Sequence, residues 1–259
     1  MNSPIEIFIF ILGLVVGSFL NVCIYRIPLR KSVISPSSFC PKCANKIKFY
    51  DNIPLLSYTL LKGKCRYCHE KISLVYPAVE LLSGLIFLFL FFKYGLSWEF
   101  ASKVFLFSSL MVIFFIDIKH QLIPDVITFP GIMAGLLFSL LTKSPPFLES
   151  LLGFFIGGGL LYLVAIIGDK IFRKESMGGG DIKLAAMLGT FLGWQKVLLV
   201  FFLASCLGAI VGIIFFIFSA KLREKRLIPF GPFLAVATVI GIFLGNRLVD
   251  LYLRLFYHI

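Results

Sequence analysis

Long apolar runs, rather than alternation or narrow amphipathic stripes, dominate the hydrophobic pattern. Eight stretches are apolar and nearly free of charge: 4–23, 73–92, 100–116, 126–141, 151–168, 182–193, 197–220 and 232–251. Each predicts a helix. About 20 apolar residues at ~1.5 Å rise cover the ~30 Å of hydrocarbon in a bilayer. The sixth stretch is short and contains glycine. The first lacks a basic start, carries Glu6 and ends without a small-residue cleavage site, so it reads as a span and not as a signal peptide. Between the first two lies the one sizeable polar segment, 24–72. The pattern predicts an all-α polytopic membrane protein of about eight transmembrane helices with a small cytoplasmic loop domain. Its divisions are a first helix at 1–23, the loop domain at 24–72 and a membrane domain at 73–259.

Composition excludes the soluble alternatives. Of 259 residues, 59% are hydrophobic and 15% charged, and 30 are phenylalanine. Mean hydropathy is +0.98. A soluble chain needs roughly 25% charge to cover its surface. The net charge of +12 might suggest nucleic acid in a soluble protein, but here its placement carries the meaning, and no nucleic-acid partner is expected. With eight spans, 19 of the 25 Lys and Arg fall in the alternate segments 24–72, 117–125, 169–183 and 220–231. The positive-inside rule puts these in the cytoplasm and both termini outside. If 182–193 did not cross, the basic run 221–226 would change sides and the bias would weaken. Glycines four apart recur within the stretches: Gly13/Gly17, Gly153/Gly157, Gly189/Gly193, Gly208/Gly212 and Gly241/Gly245. This spacing predicts close helix contact in lipid.

The loop contains Cys40-Pro-Lys-Cys43 and Cys65-Arg-Tyr-Cys68. Two such pairs supply the four thiolates of a tetrahedral structural Zn²⁺ site, with no open position for catalysis. Lys42, Lys64 and Arg66 offset the charge of a Zn(Cys)₄ centre. A loop of about fifty residues gains most from such a staple. Disulfides compete, but a reducing cytoplasm disfavours them; a redox CxxC needs one pair, not two. Cys23 and Cys206 lie in apolar stretches and read as packing residues.

Most of the thirteen acids, Glu175 and Glu224 among them, sit near span ends or in polar loops and read as solvated. Four stand out. Glu80 lies two turns into the second stretch, where an ionisable group needs a polar network or a substrate to face; the sequence leaves that choice open. Asp125 follows Pro124 at the start of the fourth stretch and reads as a helix N-cap. Asp117 closes the third stretch, and Asp181 opens the sixth behind Gly178-Gly179-Gly180. Three glycines beside a bilayer suit backbone that approaches something closely, such as an extended peptide. By the charge count both aspartates sit at the cytoplasmic edge. Brought together, they could share one proton and activate water for peptide hydrolysis; two separate solvated acids are the competing reading. No Gly-x-Ser-x-Gly, His-Glu-x-x-His or phosphate-loop pattern occurs.

The ordered motifs resemble those of the prepilin peptidases (type IV leader peptidases), aspartic proteases of bacterial inner membranes. The matching stretches are Gly17-Ser-Phe-Leu-Asn-Val22 with Arg26-Ile-Pro28, the two CxxC pairs around Asn52-Ile-Pro54, and Tyr76-Pro-Ala-Val-Glu80. Asp117 with Ile123-Pro-Asp125, Met177-Gly-Gly-Gly-Asp181 and Pro229-Phe-Gly-Pro-Phe233 complete the set. The resemblance implies that Asp117 and Asp181 are the catalytic pair. It implies cleavage, on the cytoplasmic side, of the basic leader of prepilins and pseudopilins. With the cysteine domain present, it further implies N-methylation of the new terminus from S-adenosylmethionine, whose site residues the sequence does not reveal. A transporter would need broken helices paired across repeats, which are not seen. A zinc-loop scaffold would leave the glycines before Asp181 unexplained.

Overall fold

The structure, a computed structural model, describes residues 4–142, 144–174, 177–218 and 229–257. The basic run 221–226, with Glu175 and Glu224, lies outside them. The chain divides into two compact units, 1–112 and 113–259.

The first unit is built on α1 (Pro4–Arg26) and α3 (Val75–Tyr94), which pack along each other. Their contact is set by glycine. A Cβ added to Gly13 would lie 2.8 Å from Gly84 Cα, and one on Gly17 would lie 2.7 Å from Glu80 Cα. Both glycines fall on the face that the i, i+4 spacing predicts. The polar loop between them holds a short 3₁₀ turn (Phe49–Asn52), the one-turn α2 (Leu56–Leu60) and two isolated bridges, with no longer strand among the described residues. Such a segment has little core of its own, so side chains fasten it to the helix pair. The buried Arg26 donates to the carbonyls of Ser32 and Ser37 at 3.0 and 3.3 Å and lies over the Phe39 ring. Asn21 donates to Tyr76 O at 3.0 Å, tying the end of α1 to the start of α3. Glu80 Oε2 accepts the Leu55 N–H at 2.9 Å. Leu55 sits at φ 60, a conformation that bulky residues avoid. The buried carboxylate thus holds a corner the chain would not make unaided, which answers the choice the sequence left open in favour of a polar network.

The unit boundary falls within α4 (Trp98–His120), whose last turns belong to the second unit. There follow α5 (Asp125–Leu141), α6 (Phe147–Phe172), α7 (Gly179–Leu192), α8 (Trp194–Phe218) and α9 (Gly231–Tyr257). Helix α7 is central and packs against α5, α6, α8 and α9; its nine residues Leu184–Leu192 are all buried. Glycine again sets the spacing. A Cβ on Gly153 or on Gly189 would fall inside the other residue's carbonyl, and Gly157 meets Ala185 O in the same way. Ser150 Oγ donates to Thr190 O at 2.6 Å, a hydrogen bond between helices made in a buried setting. A further pair, Gly131 and Gly135, receives Met187 and Thr190 from α7. Gly193, by contrast, is not on a helix face: it caps α7 at φ 76 and turns the chain into α8.

Among the described residues, a helix stands at each of the eight apolar stretches. Among the described residues, α1, α3, α4, α6 and α8 are long and apolar enough to cross a membrane, and 125–141 and 231–245 are shorter apolar helices. Helix α7, with 14 residues, extends only about 21 Å at ~1.5 Å per residue. The chain is a multi-pass membrane protein of nearly all-helical fold.

Candidate active site and metal centre

Asp117 lies in the last turn of α4 and Asp181 in the first turn of α7. Both belong to the second unit. Asp117 is buried, at 4% exposure, and its Oδ2 accepts the N–H of Gly231 at 3.1 Å. Asp181 Oδ1 is buried without a hydrogen-bond partner. Ile123, in the link from α4 to α5, abuts the main chain beside each: a Cβ on Gly180 would lie 2.8 Å from Ile123 Cβ, and one on Gly231 3.2 Å from Ile123 Cδ1. Gly180, the neighbour of Asp181, and Gly231, the donor to Asp117, thus share one isoleucine.

The three glycines divide the work. Gly178 is the extended N-cap of α7 and its carbonyl accepts the Asp181 N–H at 3.1 Å. Gly180 is small because Ile123 leaves no room. Gly179 faces open space, which leaves main chain accessible two residues before the carboxylate. Asp125 differs from its sequence reading. The N-cap of α5 is Pro124, and no side-chain cap is made. Asp125 instead grips Lys183 Nζ with both oxygens, at 2.7 and 2.8 Å. Spacing along one helix could not reveal a partner 58 residues away.

In the first unit, the sulfurs of Cys40, Cys43, Cys65 and Cys68 all lie within 4.8 Å of one another. Cys40 and Cys68 are 3.8 Å apart, which is the edge of a tetrahedron with Zn–S arms of ~2.3 Å, about 3.8 Å. The two CxxC segments are the same small knuckle used twice. In each, the first Cys N–H donates five residues ahead, to Asn45 O and Glu70 O, both at 2.9 Å. Each is closed by an antiparallel bridge, Phe39 with Lys46 and Lys64 with Lys71. Each turns at a positive φ, at Ala44 and His69. The repeat is visible as C-x2-C-x2-K at both places, a signal the cysteine spacing alone does not use.

The thiols behave as a crowded donor set. Backbone N–H groups of Cys68 and Tyr67 draw the Cys65 thiol down to about 7. At Cys68 the Glu70 backbone favours the thiolate, but desolvation and the sulfurs of Cys65, Cys43 and Cys40 outweigh it and push the group up to about 12. Four sulfurs this close ionise together only with a cation among them, so the residues fit Zn²⁺. Arg66 braces the second knuckle by donating Nε to Asp51 Oδ2 at 2.8 Å, which holds the Asp51 carboxyl below its usual range. Cys23 is a buried packing residue, and Cys206 is half-buried.

Residues 11–94 match the family model described as the bacterial peptidase A24 N-terminal domain, and 104–213 match that of the type IV leader peptidase family. A protein of Myxococcus xanthus is 40% identical over 83% of this chain and 64% of its own length. Proteins of Stutzerimonas stutzeri and Pseudomonas aeruginosa are each 34% identical over 94% of this chain and 92% of their own. The chain belongs to the type IV leader peptidase family. All three relatives carry the name prepilin leader peptidase/N-methyltransferase. The match spans less than two thirds of the Myxococcus protein and nearly all of the other two. No solved structure matches. Leader peptidases of this family are aspartic proteases, and the leader peptidase match contains both Asp117 and Asp181. The N-terminal match contains all four clustered cysteines.

Proposed function

We propose that this protein is a prepilin peptidase whose catalytic pair is Asp117 and Asp181, and that it also N-methylates the new terminus. The peptidase reading is supported by one juxtaposition in the second unit: Gly180, beside Asp181, and Gly231, which donates to Asp117, abut the same Ile123, in a chain of an aspartic peptidase family. A carboxylate and a carboxylic acid side by side can deprotonate a water and protonate a carbonyl in one step, and no metal is required. The substrate is a prepilin or pseudopilin with a basic leader and a hydrophobic helix. The helix stays in the bilayer, and the scissile bond lies at headgroup depth on the cytoplasmic side of the inner membrane. Gly179 offers main chain against which an extended peptide can lie.

Cys40, Cys43, Cys65 and Cys68 hold a structural Zn²⁺, which fixes the loop domain 24–72 and supplies no catalytic step. S-adenosylmethionine is the methyl donor when methylation occurs, a reading supported by the relatives' names. The deciding experiment incubates the purified protein in detergent with a prepilin. Mass spectrometry then reads loss of the leader and, with S-adenosylmethionine present, the added methyl. Leader cleavage that survives in Asp117→Asn or Asp181→Asn defeats the aspartate assignment.

A further inference from the structure

The two carboxyl groups stand in unlike surroundings. Asp117 Oδ2 takes a buried main-chain hydrogen bond from Gly231, the first residue of α9. The first N–H groups of a helix have no partner inside it, and that end of the dipole favours negative charge. A donor aimed at a carboxylate stabilises its charged form. The residue type follows from the contact, because a Cβ at 231 would sit 2.6 Å from Asp117 Oδ2. Asp181 has the opposite setting. The residue is half-buried, but its Oδ1 is buried with nothing donating to it, and negative charge on a buried oxygen without a donor is costly.

Among the described residues, the other ionisable groups on the surrounding elements do not level this difference. Lys183 on α7 is held by Asp125 of α5. Lys119 and His120 at the end of α4, and Asp169 on α6, are exposed.

We infer that the one proton of the pair rests on Asp181, and that the Gly231 N–H keeps Asp117 as the charged partner. This deepens the aspartate-pair reading and rests on it. Asp117 is then the base. It takes a proton from water as the water oxygen bonds to the scissile carbonyl carbon. The carbonyl π electrons move to its oxygen, which takes the proton of Asp181. When the resulting diol collapses, the C–N bond breaks and the amine nitrogen takes the proton held by Asp117. The diol returns a proton to Asp181, and the pair is restored. Gly231 touches no substrate in this scheme; it is a positioning residue acting through Asp117.

Two measurements on the full-length protein test this. The first replaces the Gly231 amide by an ester, using glycolic acid at 231, which removes the N–H without adding atoms. Loss of a donor to the charged form makes that form harder to keep as pH falls. The acid limb of kcat/KM should therefore move upward by roughly one to two pH units, and an unmoved limb overturns the role of Gly231. The second follows the remaining carboxyl by infrared spectroscopy with ¹³C-aspartate in the two Asn variants. Asp117 in Asp181→Asn should ionise at a lower pH than Asp181 in Asp117→Asn; the reverse order, or equality, overturns the assignment. If either variant still cleaves, the pair itself is wrong. If both are dead but the order is reversed, the pair stands and only its division of labour falls.

Discussion

Single residues around the site make separable predictions. Gly180 has no room for a side chain against Ile123 Cβ, whereas a Cβ at Gly179 meets nothing within 4 Å. Gly180→Ala should destabilise the start of α7 by about 1–3 kcal/mol, the usual cost of overpacking, and lower cleavage. Gly179→Ala should leave thermal unfolding in detergent unchanged, with any effect confined to KM for the leader peptide. Equal melting losses in the two variants would contradict the division between them. The knuckle cysteines differ in the same testable way. In chelator-treated protein near pH 7, alkylation should reach Cys65 before Cys68, because the thiolate reacts and the Cys65 thiol is drawn down to about 7 while that of Cys68 is pushed up to about 12. Zinc added back should suppress both. Cys40→Ser should lose the metal, read as zinc content per chain.

Between elements, the close approaches carry the packing. Gly153 and Gly189 each occupy space that the other's carbonyl would deny to a side chain, so Gly189→Val must push α6 and α7 apart. The expected outcome is a poorly inserted, protease-sensitive protein, checked by trypsin digestion of membranes. Glu80→Ala should leave the Leu55 N–H without its partner, at about 1–3 kcal/mol. The effect should appear as faster proteolysis in 53–57 while α3 stays inserted. The apolar runs made these helices legible, because lipid demands length and hydrophobicity in one continuous stretch. Their partners were less so. Spacing found Gly153/Gly157 but not the use of Gly131 and Gly135, and it put Gly193 on a helix face where the chain in fact turns. Asp125 shows the same limit. A cap is a local device and can be guessed from Pro124-Asp125, whereas its actual bond to Lys183 depends on how α5 meets α7. The glycines before Asp181 pointed to close approach, but only the fold supplies Ile123 as one of the things approached.

At the scale of the whole molecule, the charge count assigns the cysteine loop and the turn between α4 and α5 to one side of the membrane. Single cysteines introduced at Ser35 and Gln121 should both be labelled by an impermeant maleimide added to inverted vesicles, whose cytoplasmic face is outward, and neither should be labelled when the reagent is added to intact cells. Opposite labelling of the two would break the orientation. The family match and the eight apolar stretches were readable from the chain because each is continuous along it. The meeting of Asp117 with Gly231 was not, since 114 residues separate them. One feature of the second unit bears on how such a chain sits in lipid. Helix α7 is shorter than a hydrocarbon slab and is wrapped by α5, α6, α8 and α9. A rod about 9 Å shorter than the ~30 Å hydrocarbon slab cannot bring both of its ends to the headgroups. On the proposed peptidase reading, Asp181 in the first turn of that short rod would meet water without its being carried through oil, and a lipid-held substrate would need only to slide sideways to be wetted.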